Sequence, residues 1–296
     1  MKRNLHALNS LALFLILIFS CTEEPKNIAI SSDGVKISFN VSGNGSPALV
    51  FIAGWGNNRS SWDSIVPYFS QKYKVVTIDL AGYGGSGNNR EKWDMASFGK
   101  DVVAVINKLH LKNVVLIGHS MGSAVIIETT KIIPEKIIGL VIEDDLHNVE
   151  DKNSEQFVNY LDSVYMDMAE NPTVEKFLTV FNNPKLRPGK SEEIARKFVP
   201  MFEGVPKIGW SESLKEYFRW NNEDCIESLK MIQTPIISIN SEQPPTNVEV
   251  FKKYHPSFEA KIIPNVTHLV HYEVPEKFSL LLEESIQELL NASKRK

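Results

Sequence analysis

Short apolar runs alternate with amphipathic segments along most of the chain. Such runs, bounded by Gly, Pro, Asn or Asp, are typical of strands buried in a sheet. The predicted strands are residues 27–31, 35–41, 48–53, 74–79, 113–117, 137–143, 235–239 and 260–264. Strands that alternate with helices require right-handed crossovers, so the pattern predicts an α/β fold with a mostly parallel, eight-stranded sheet flanked by helices.

Helical periodicity separates the later strands and then takes over one long segment. Helices are predicted at residues 97–109, 122–132, 247–254 and 275–290. Between residues 147 and 230 the strand pattern stops, and apolar residues recur at helical spacing, as in Phe157, Leu161, Tyr165 and Met168. The chain is therefore predicted to consist of a core, residues 27–146 plus 231–296, with a helical cap inserted at residues 147–230.

Composition narrows the class of protein and of partner. The 296 residues are 43% hydrophobic and 23% charged, which fits one large globular domain with an insertion. The formal net charge is −4, and the only basic block is the terminal run of residues 294–296. This charge distribution disfavours a nucleic-acid partner.

The N-terminus has the pattern of an export signal. Lys2 and Arg3 precede nine apolar residues, 11–19, which as a helix would span about 14 Å of a hydrocarbon layer about 30 Å thick. Residues 1–20 therefore read as a signal peptide. Residues 18–21 resemble a bacterial lipobox, which implies lipidation of Cys21 and a lipid-anchored protein of the cell envelope. Ordinary secretion is the alternative.

A sharp turn with serine at its apex is the strongest chemical signal. The run Gly118-His119-Ser120-Met121-Gly122 follows an apolar strand and precedes a helix of small residues. A serine hydroxyl needs an exposed position, an adjacent base and donors for the oxyanion that it generates. A strained strand-to-helix turn supplies the exposure, and its glycines leave room for close packing.

Together with three other motifs, this turn resembles the α/β-hydrolases, in particular the esterase- and lipase-like members with a helical cap, over roughly residues 27–292. The other motifs are residues 51–56, residues 79–87 and the run from Asn265 to His268. The resemblance implies that Ser120 is the nucleophile and His268 the general base. It also implies an oxyanion hole formed by the backbone N–H groups of Trp55 and Met121.

The third member of the triad is open to more than one interpretation. Asp144, at the end of the sixth strand, is the preferred acid, and Glu242 after the seventh strand is the alternative. The acidic run 143–145 could instead cap a following helix. His271 is a nearby rival to His268 for the role of base.

Several other motifs have structural interpretations. Asp79 is expected to bind neighbouring loop amides, Trp62 to pack in the core, and four histidines to lie at the surface or at helix ends: His6, His110, His147 and His255. The spacing Gly82-x-Gly84-x-x-Gly87 matches a dinucleotide fingerprint, but no helix begins within it, so no cofactor is expected. No metal site is expected either.

These features predict a serine hydrolase that cleaves carboxylic esters of small or medium acyl groups through an acyl-enzyme. Five aromatic residues are expected to wall the acyl site: Phe157, Tyr165, Phe181, Phe202 and Trp210. One alternative is a ligand-binding protein on a hydrolase fold. Another is a lactonase or an aminopeptidase, the latter using acidic anchors for a substrate amine at Glu150, Asp151 and Glu155.

Overall fold

A computed structural model describes residues 27–202 and 207–294. The predicted signal peptide, the lipidation residue Cys21 and His6 lie outside the described residues. In the part that is described, no helix is long and apolar enough to cross a membrane.

Eight strands form one sheet, as predicted. The strands are β1 Ile28–Ile30, β2 Lys36–Ser42, β3 Ala48–Ile52, β4 Lys74–Ile78, β5 Val114–His119, β6 Ile137–Glu143, β7 Ile236–Ser241 and β8 Glu259–Ile263. Their order in the sheet is β1-β2-β4-β3-β5-β6-β7-β8. Strand β2 is antiparallel to both of its neighbours, β1 and β4, and all other pairs are parallel. Each lies within a few residues of its predicted position.

Eleven α-helices connect and cover the strands in the described ranges. They are α1 Val66–Phe69, α2 Met95–Lys108, α3 Met121–Ile132, α4 Glu155–Glu170, α5 Val174–Phe181, α6 Lys190–Phe198, α7 Lys207–Glu223, α8 Cys225–Met231, α9 Val248–Tyr254, α10 Val270–Glu273 and α11 Pro275–Ser293. The four helices predicted in the core correspond to α2, α3, α9 and α11.

The central strands β3, β5 and β6 are mostly apolar and buried along almost their whole length, so the sheet is covered there on both faces. In β3, Leu49 and Phe51 point to one face, where α1 and α11 pack, while Val50 and Ile52 point to the face covered by α2 and α3. Buried parallel strands read as continuous apolar runs, which is why they were recognisable in the sequence.

Between β6 and β7 the regular structure of the described residues is entirely helical. It consists of α4 to α8 and a short 3₁₀ helix, Val199–Phe202, joined by loops. Hydrogen bonds attach α7 to the core: the Trp55 indole donates to the Trp210 carbonyl at 2.8 Å, and the Tyr217 hydroxyl donates to Asp145 at 2.5 Å. Helix α7 therefore lies over the carboxyl ends of the parallel strands, where ligands of such sheets bind.

Candidate active site

Ser120 lies between the end of β5 and the start of α3, in a backbone conformation that serine rarely adopts. Its φ is 50° and its ψ is −125°. The flanking glycines permit the turn, since a Cβ on Gly118 would lie 2.4 Å from the Gly122 carbonyl oxygen, and one on Gly122 would lie 2.6 Å from that of Ile52. A strained residue of this kind persists only where its surroundings hold it, and such residues cluster at functional sites.

Asp144 follows β6 directly and is almost fully buried, with 3% of its side chain exposed. One carboxylate oxygen, Oδ1, accepts a hydrogen bond from the Ser241 backbone N–H at 2.6 Å. The other, Oδ2, lies 2.9 Å from Nδ1 of His268. The carboxylate thus joins the loop after β6 to the loop after β8.

His268 reaches the same edge of the sheet from the loop that follows β8. Its side chain remains 39% exposed, and its backbone carbonyl lies 2.9 Å from Nε2 of His119. Glu242, the alternative acid, is elsewhere: its Oε1 pairs with Lys185 at 2.8 Å and accepts the N–H of Asn265 at 3.1 Å. The structure brings Asp144, and not Glu242, to His268.

The acidic run 143–145 does not cap a helix. The chain continues without a helix to α4, whose first turn is capped by Ser154. His271 is fully buried, with Nδ1 2.7 Å from Oε1 of Glu143, so it cannot present its ring to a substrate.

Ser120 and His268 line one cavity of about 170 Å³ under the helices that follow β6. No hydrogen bond joins the Ser120 hydroxyl to the imidazole in the described structure. In unliganded hydrolases this contact often forms fully only with substrate bound. The other described wall residues are mostly apolar, among them Leu161, Met168, Phe198, Leu214 and Leu269.

The predicted aromatic walls are only partly correct. Tyr165, Phe181 and Phe202 line the cavity. Phe157 does not, because it lies on the outer face of α4 with 44% of its surface exposed. Trp210 lies behind the wall, with its ring 5.0 Å from that of Trp55. Helical spacing identified the apolar residues of the segment but not the direction in which each faces.

The two residues expected to supply oxyanion donors are Met121, which follows Ser120 in the chain, and Trp55, which lines the same cavity. Met121 is the first residue of α3, and N–H groups of a first helical turn have no intrahelical acceptor. Trp55 belongs to the loop after β3 and lines the cavity. Its ring is held by stacking on Tyr165 at 4.9 Å and by the bond to the Trp210 carbonyl.

The electrostatics of the pair favour a charged aspartate and a basic histidine. Burial alone would raise the pKa of Asp144, but hydrogen bonds from His147, His268 and the Ser241 N–H together hold it well below its usual range. Burial alone would lower the pKa of His268, but the hydrogen bond and the charge of Asp144, aided by Asp145, raise it above its ordinary value.

The prediction that four histidines lie at the surface or at helix ends is wrong for His147, whose side chain is 12% exposed. His147 lies beside the candidate triad, with Nε2 3.5 Å from Oδ1 of Asp144. His255 lies at a helix end, as expected, because it is the C-cap of α9. It is buried there, with 2% exposure, and its Nε2 lies 3.0 Å from the Thr234 carbonyl oxygen. A signal for His147 was present, because it lies three residues after Asp144. His110 is exposed, as expected.

The structural roles expected for Asp79 and Trp62 are confirmed. Asp79 accepts backbone N–H groups from Arg59 at 2.7 Å and Gly85 at 2.8 Å. Trp62 is fully buried in the core. Within the described ranges, no group of three His, Cys, Asp or Glu side chains is arranged to hold a metal ion.

The model of the alpha/beta hydrolase fold family matches residues 47–273. The chain belongs to this family. Its eight-stranded, mostly parallel sheet with flanking helices is the fold that the resemblance noted in the sequence implied.

Comparisons with individual proteins agree on the fold. The chain is 24% identical over 270 residues to a Bacillus subtilis protein provisionally named 2-succinyl-6-hydroxy-2,4-cyclohexadiene-1-carboxylate synthase, covering 87% of this chain and 97% of that one. It is 36% identical over 100 residues to the pimeloyl-[acyl-carrier protein] methyl ester esterase of Wigglesworthia glossinidia brevipalpis, covering 34% and 37%.

Among solved structures, the esterase of Exiguobacterium antarcticum superposes with a TM-score of 0.74 at 17% identity, covering 88% of this chain and 99% of that one. Several curated relatives match over only about a third of their own length, 32% to 37%. These likenesses show a shared fold.

We expect the pKa of His268 to depend on Asp144. In the wild type the imidazole should titrate above the ordinary value for histidine. In Asp144→Asn the pKa should fall, because burial would then act without the opposing carboxylate charge. NMR titration of the His268 ring carbons measures both values, and Glu242→Gln is the matched control. An unchanged pKa in Asp144→Asn would contradict the pairing.

Proposed function

We propose that this protein hydrolyses carboxylic esters, with Ser120 as nucleophile, His268 as general base and Asp144 as the acid that orients it. One observation carries the proposal: the Nδ1 contact between His268 and Asp144 lies at the cavity into which the strained Ser120 turn opens. A serine and a histidine at one cavity, with a buried carboxylate bonded to the histidine, are the elements of nucleophilic acyl transfer.

The first half of the proposed reaction acylates the serine. Ser120 Oγ attacks the ester carbonyl while Nε2 of His268 takes the hydroxyl proton. Negative charge develops on the carbonyl oxygen, where the N–H groups of Trp55 and Met121 are proposed to donate. The imidazolium then gives its proton to the leaving alcohol, and the C–O bond to that alcohol breaks.

The second half releases the acid. Water attacks the acyl carbon and gives a proton to Nε2 of His268, which passes it back to Ser120 Oγ as the acyl bond breaks. Asp144 accepts a hydrogen bond from the Nδ1–H group throughout and stays ionised, which keeps Nε2 available as a base and stabilises the imidazolium. The low pKa of Asp144 keeps its carboxylate charged for this role.

The cavity favours a small, neutral, apolar acyl group. Its volume of about 170 Å³ is below the roughly 300 Å³ at which pockets for drug-sized ligands begin. None of the described residues that line it is Lys or Arg. This lining offers no cation to a substrate carboxylate such as the one in the name of the Bacillus subtilis relative. It therefore favours a neutral ester.

The predicted amine anchors of an aminopeptidase lie away from this cavity. The Glu150 carboxylate pairs with Lys253 and Tyr254 on the surface, and Asp151 accepts a hydrogen bond from Asn148. Glu155 is exposed at the start of α4. The proposal is therefore ester hydrolysis rather than peptide hydrolysis.

We expect the triad variants to separate the role of Asp144 from that of Glu242. With p-nitrophenyl butyrate, Asp144→Asn should lower kcat by roughly 10⁴-fold, because the wrong His268 tautomer would be held. Ser120→Ala should lower it further, on the order of 10⁶-fold. Glu242→Gln should stay near wild type, since an exposed ion pair contributes little. Wild-type turnover no faster than that of Ser120→Ala would refute the proposal and favour a ligand-binding protein.

We also expect the acyl-chain preference to depend on the cavity wall. Wild type should hydrolyse p-nitrophenyl acetate and butyrate with higher kcat/KM than the decanoate. Phe181→Ala removes a ring from the wall and should move the optimum toward longer chains. Phe157→Ala is the matched control. It also removes a phenyl ring from the helices between β6 and β7, but Phe157 lies outside the cavity. An equal shift in both variants would contradict the assignment of the wall.

A further inference from the structure

A second layer of buried residues lies beneath the three candidate catalytic residues, and each member is close to one of them along the chain. His119 precedes Ser120, Glu143 precedes Asp144, and His271 lies three residues after His268. His119 has 2% exposure, and Glu143 and His271 have none.

Glu143 contacts all three segments of the site. Its Oε1 accepts two hydrogen bonds from His271, from the backbone N–H at 2.9 Å and from Nδ1 at 2.7 Å. Its backbone carbonyl accepts the N–H of Ser120 at 3.0 Å. Its own chain continues into Asp144. One residue therefore connects the strained turn, the acid and the loop that carries the base.

The aromatic rings around Glu143 add a second connection. The His271 ring stacks on Trp62 with 4.4 Å between centroids, and the His119 ring lies 5.1 Å from that of His271. Nε2 of His119 lies 2.9 Å from the His268 carbonyl oxygen. The backbone of the His268 loop is thus held at two points, residues 268 and 271.

This layer is costly as a structural element. Three buried polar atoms of the layer have no hydrogen-bond partner among the described residues: His119 Nδ1, Glu143 Oε2 and His271 Nε2. The same is true of Nε1 of Trp62, on which His271 stacks. Burial also raises the pKa of Glu143 to about 7 and lowers that of His271 to about 3. Apolar side chains of similar volume would avoid these penalties. Groups that break the packing rules in this way concentrate at functional sites.

We propose that Glu143 is a positioning residue for the catalytic triad, acting through His271 on the His268 loop and through its carbonyl group on Ser120. The proposal rests on the function proposed above. It assigns Glu143 no contact with substrate. Its Oε1 sets the distance between β6 and the loop after β8, and so the distance between Asp144 and His268.

The test compares an isosteric with an apolar substitution at position 143. Glu143→Gln keeps an Oε1 acceptor for both donors of His271 and should retain kcat within a few fold. Glu143→Met removes the acceptor and should lower kcat roughly 10²-fold with KM little changed, because a small misplacement of the base slows chemistry rather than binding. Recovery of kcat by Gln but not by Met is a result that loss of packing alone would not produce.

Glu128→Met is the matched control. Glu128 is also a buried glutamate, and it accepts hydrogen bonds from Trp220, Ser228 and Lys131 away from the cavity. Its substitution should lower the thermal midpoint without lowering kcat at a temperature where the variant is folded. If Glu143→Met does not fold, His271→Phe serves instead, since it keeps the ring on Trp62 and loses the Nδ1 donor.

A readout that does not need turnover separates this proposal from the proposed function. The proton between His268 Nδ1 and Asp144 should give a low-field ¹H resonance in the wild type, in Glu143→Gln and in Glu128→Met. It should be lost or shifted in Glu143→Met or its substitute. A folded apolar variant with wild-type kcat and an unchanged resonance would overturn the positioning role. If the wild type does not turn over the ester but the resonances follow the predicted pattern, only the proposal of ester hydrolysis is overturned.

Discussion

The hydrogen bond between His268 Nδ1 and Asp144 Oδ2, 2.9 Å long, is the interaction on which the rest of the site depends. It joins residues 124 positions apart, one after β6 and one after β8. Parallel strands make this possible, because their carboxyl ends meet at one edge of the sheet and their loops emerge together. The order of the strands thus brings the candidate base and the carboxylate that orients it together.

That hydrogen bond requires a buried charge, and burying the Asp144 carboxylate costs free energy. Asp144 is buried and charged, and desolvation of a carboxylate is offset only when several donors surround it. Ser241 supplies a backbone donor, His268 a ring donor, and His147 lies near the same oxygen as Ser241. Four non-glycine residues with positive φ, Ser120, Asp144, Leu146 and Asn265, lie along this edge. Most of the backbone strain in the described residues is therefore found where the chemistry is proposed.

The fold was predictable because its signals are local. Buried parallel strands read as apolar runs, and glycines mark the turn at Ser120, where a Cβ would collide with backbone oxygens. The candidate nucleophile and base could be named from such motifs. The sequence favoured Asp144 over Glu242 without deciding between them, because the decision depends on which loop reaches His268 across the sheet edge.

Other features escaped prediction for the same reason. His147 and Glu143 each adjoin a recognised motif, yet their burial follows from long-range packing that no local pattern encodes. The helices between β6 and β7 show how little a local pattern says about direction. Phe157 and Phe181 belong to similar apolar patterns, but Phe157 faces solvent and Phe181 faces the cavity. Helix orientation depends on contacts such as that between Tyr217 and Asp145, which join residues distant in the chain.

The central claim is that the hydroxyl of Ser120 is an activated nucleophile. The most direct measurement is intact-protein mass spectrometry after incubation of the native protein with a fluorophosphonate, followed by peptide mapping. The account predicts one adduct, on Ser120, that forms much more slowly in His268→Ala and does not form in heat-denatured protein. No adduct on the native protein, or an adduct on another residue, would contradict it.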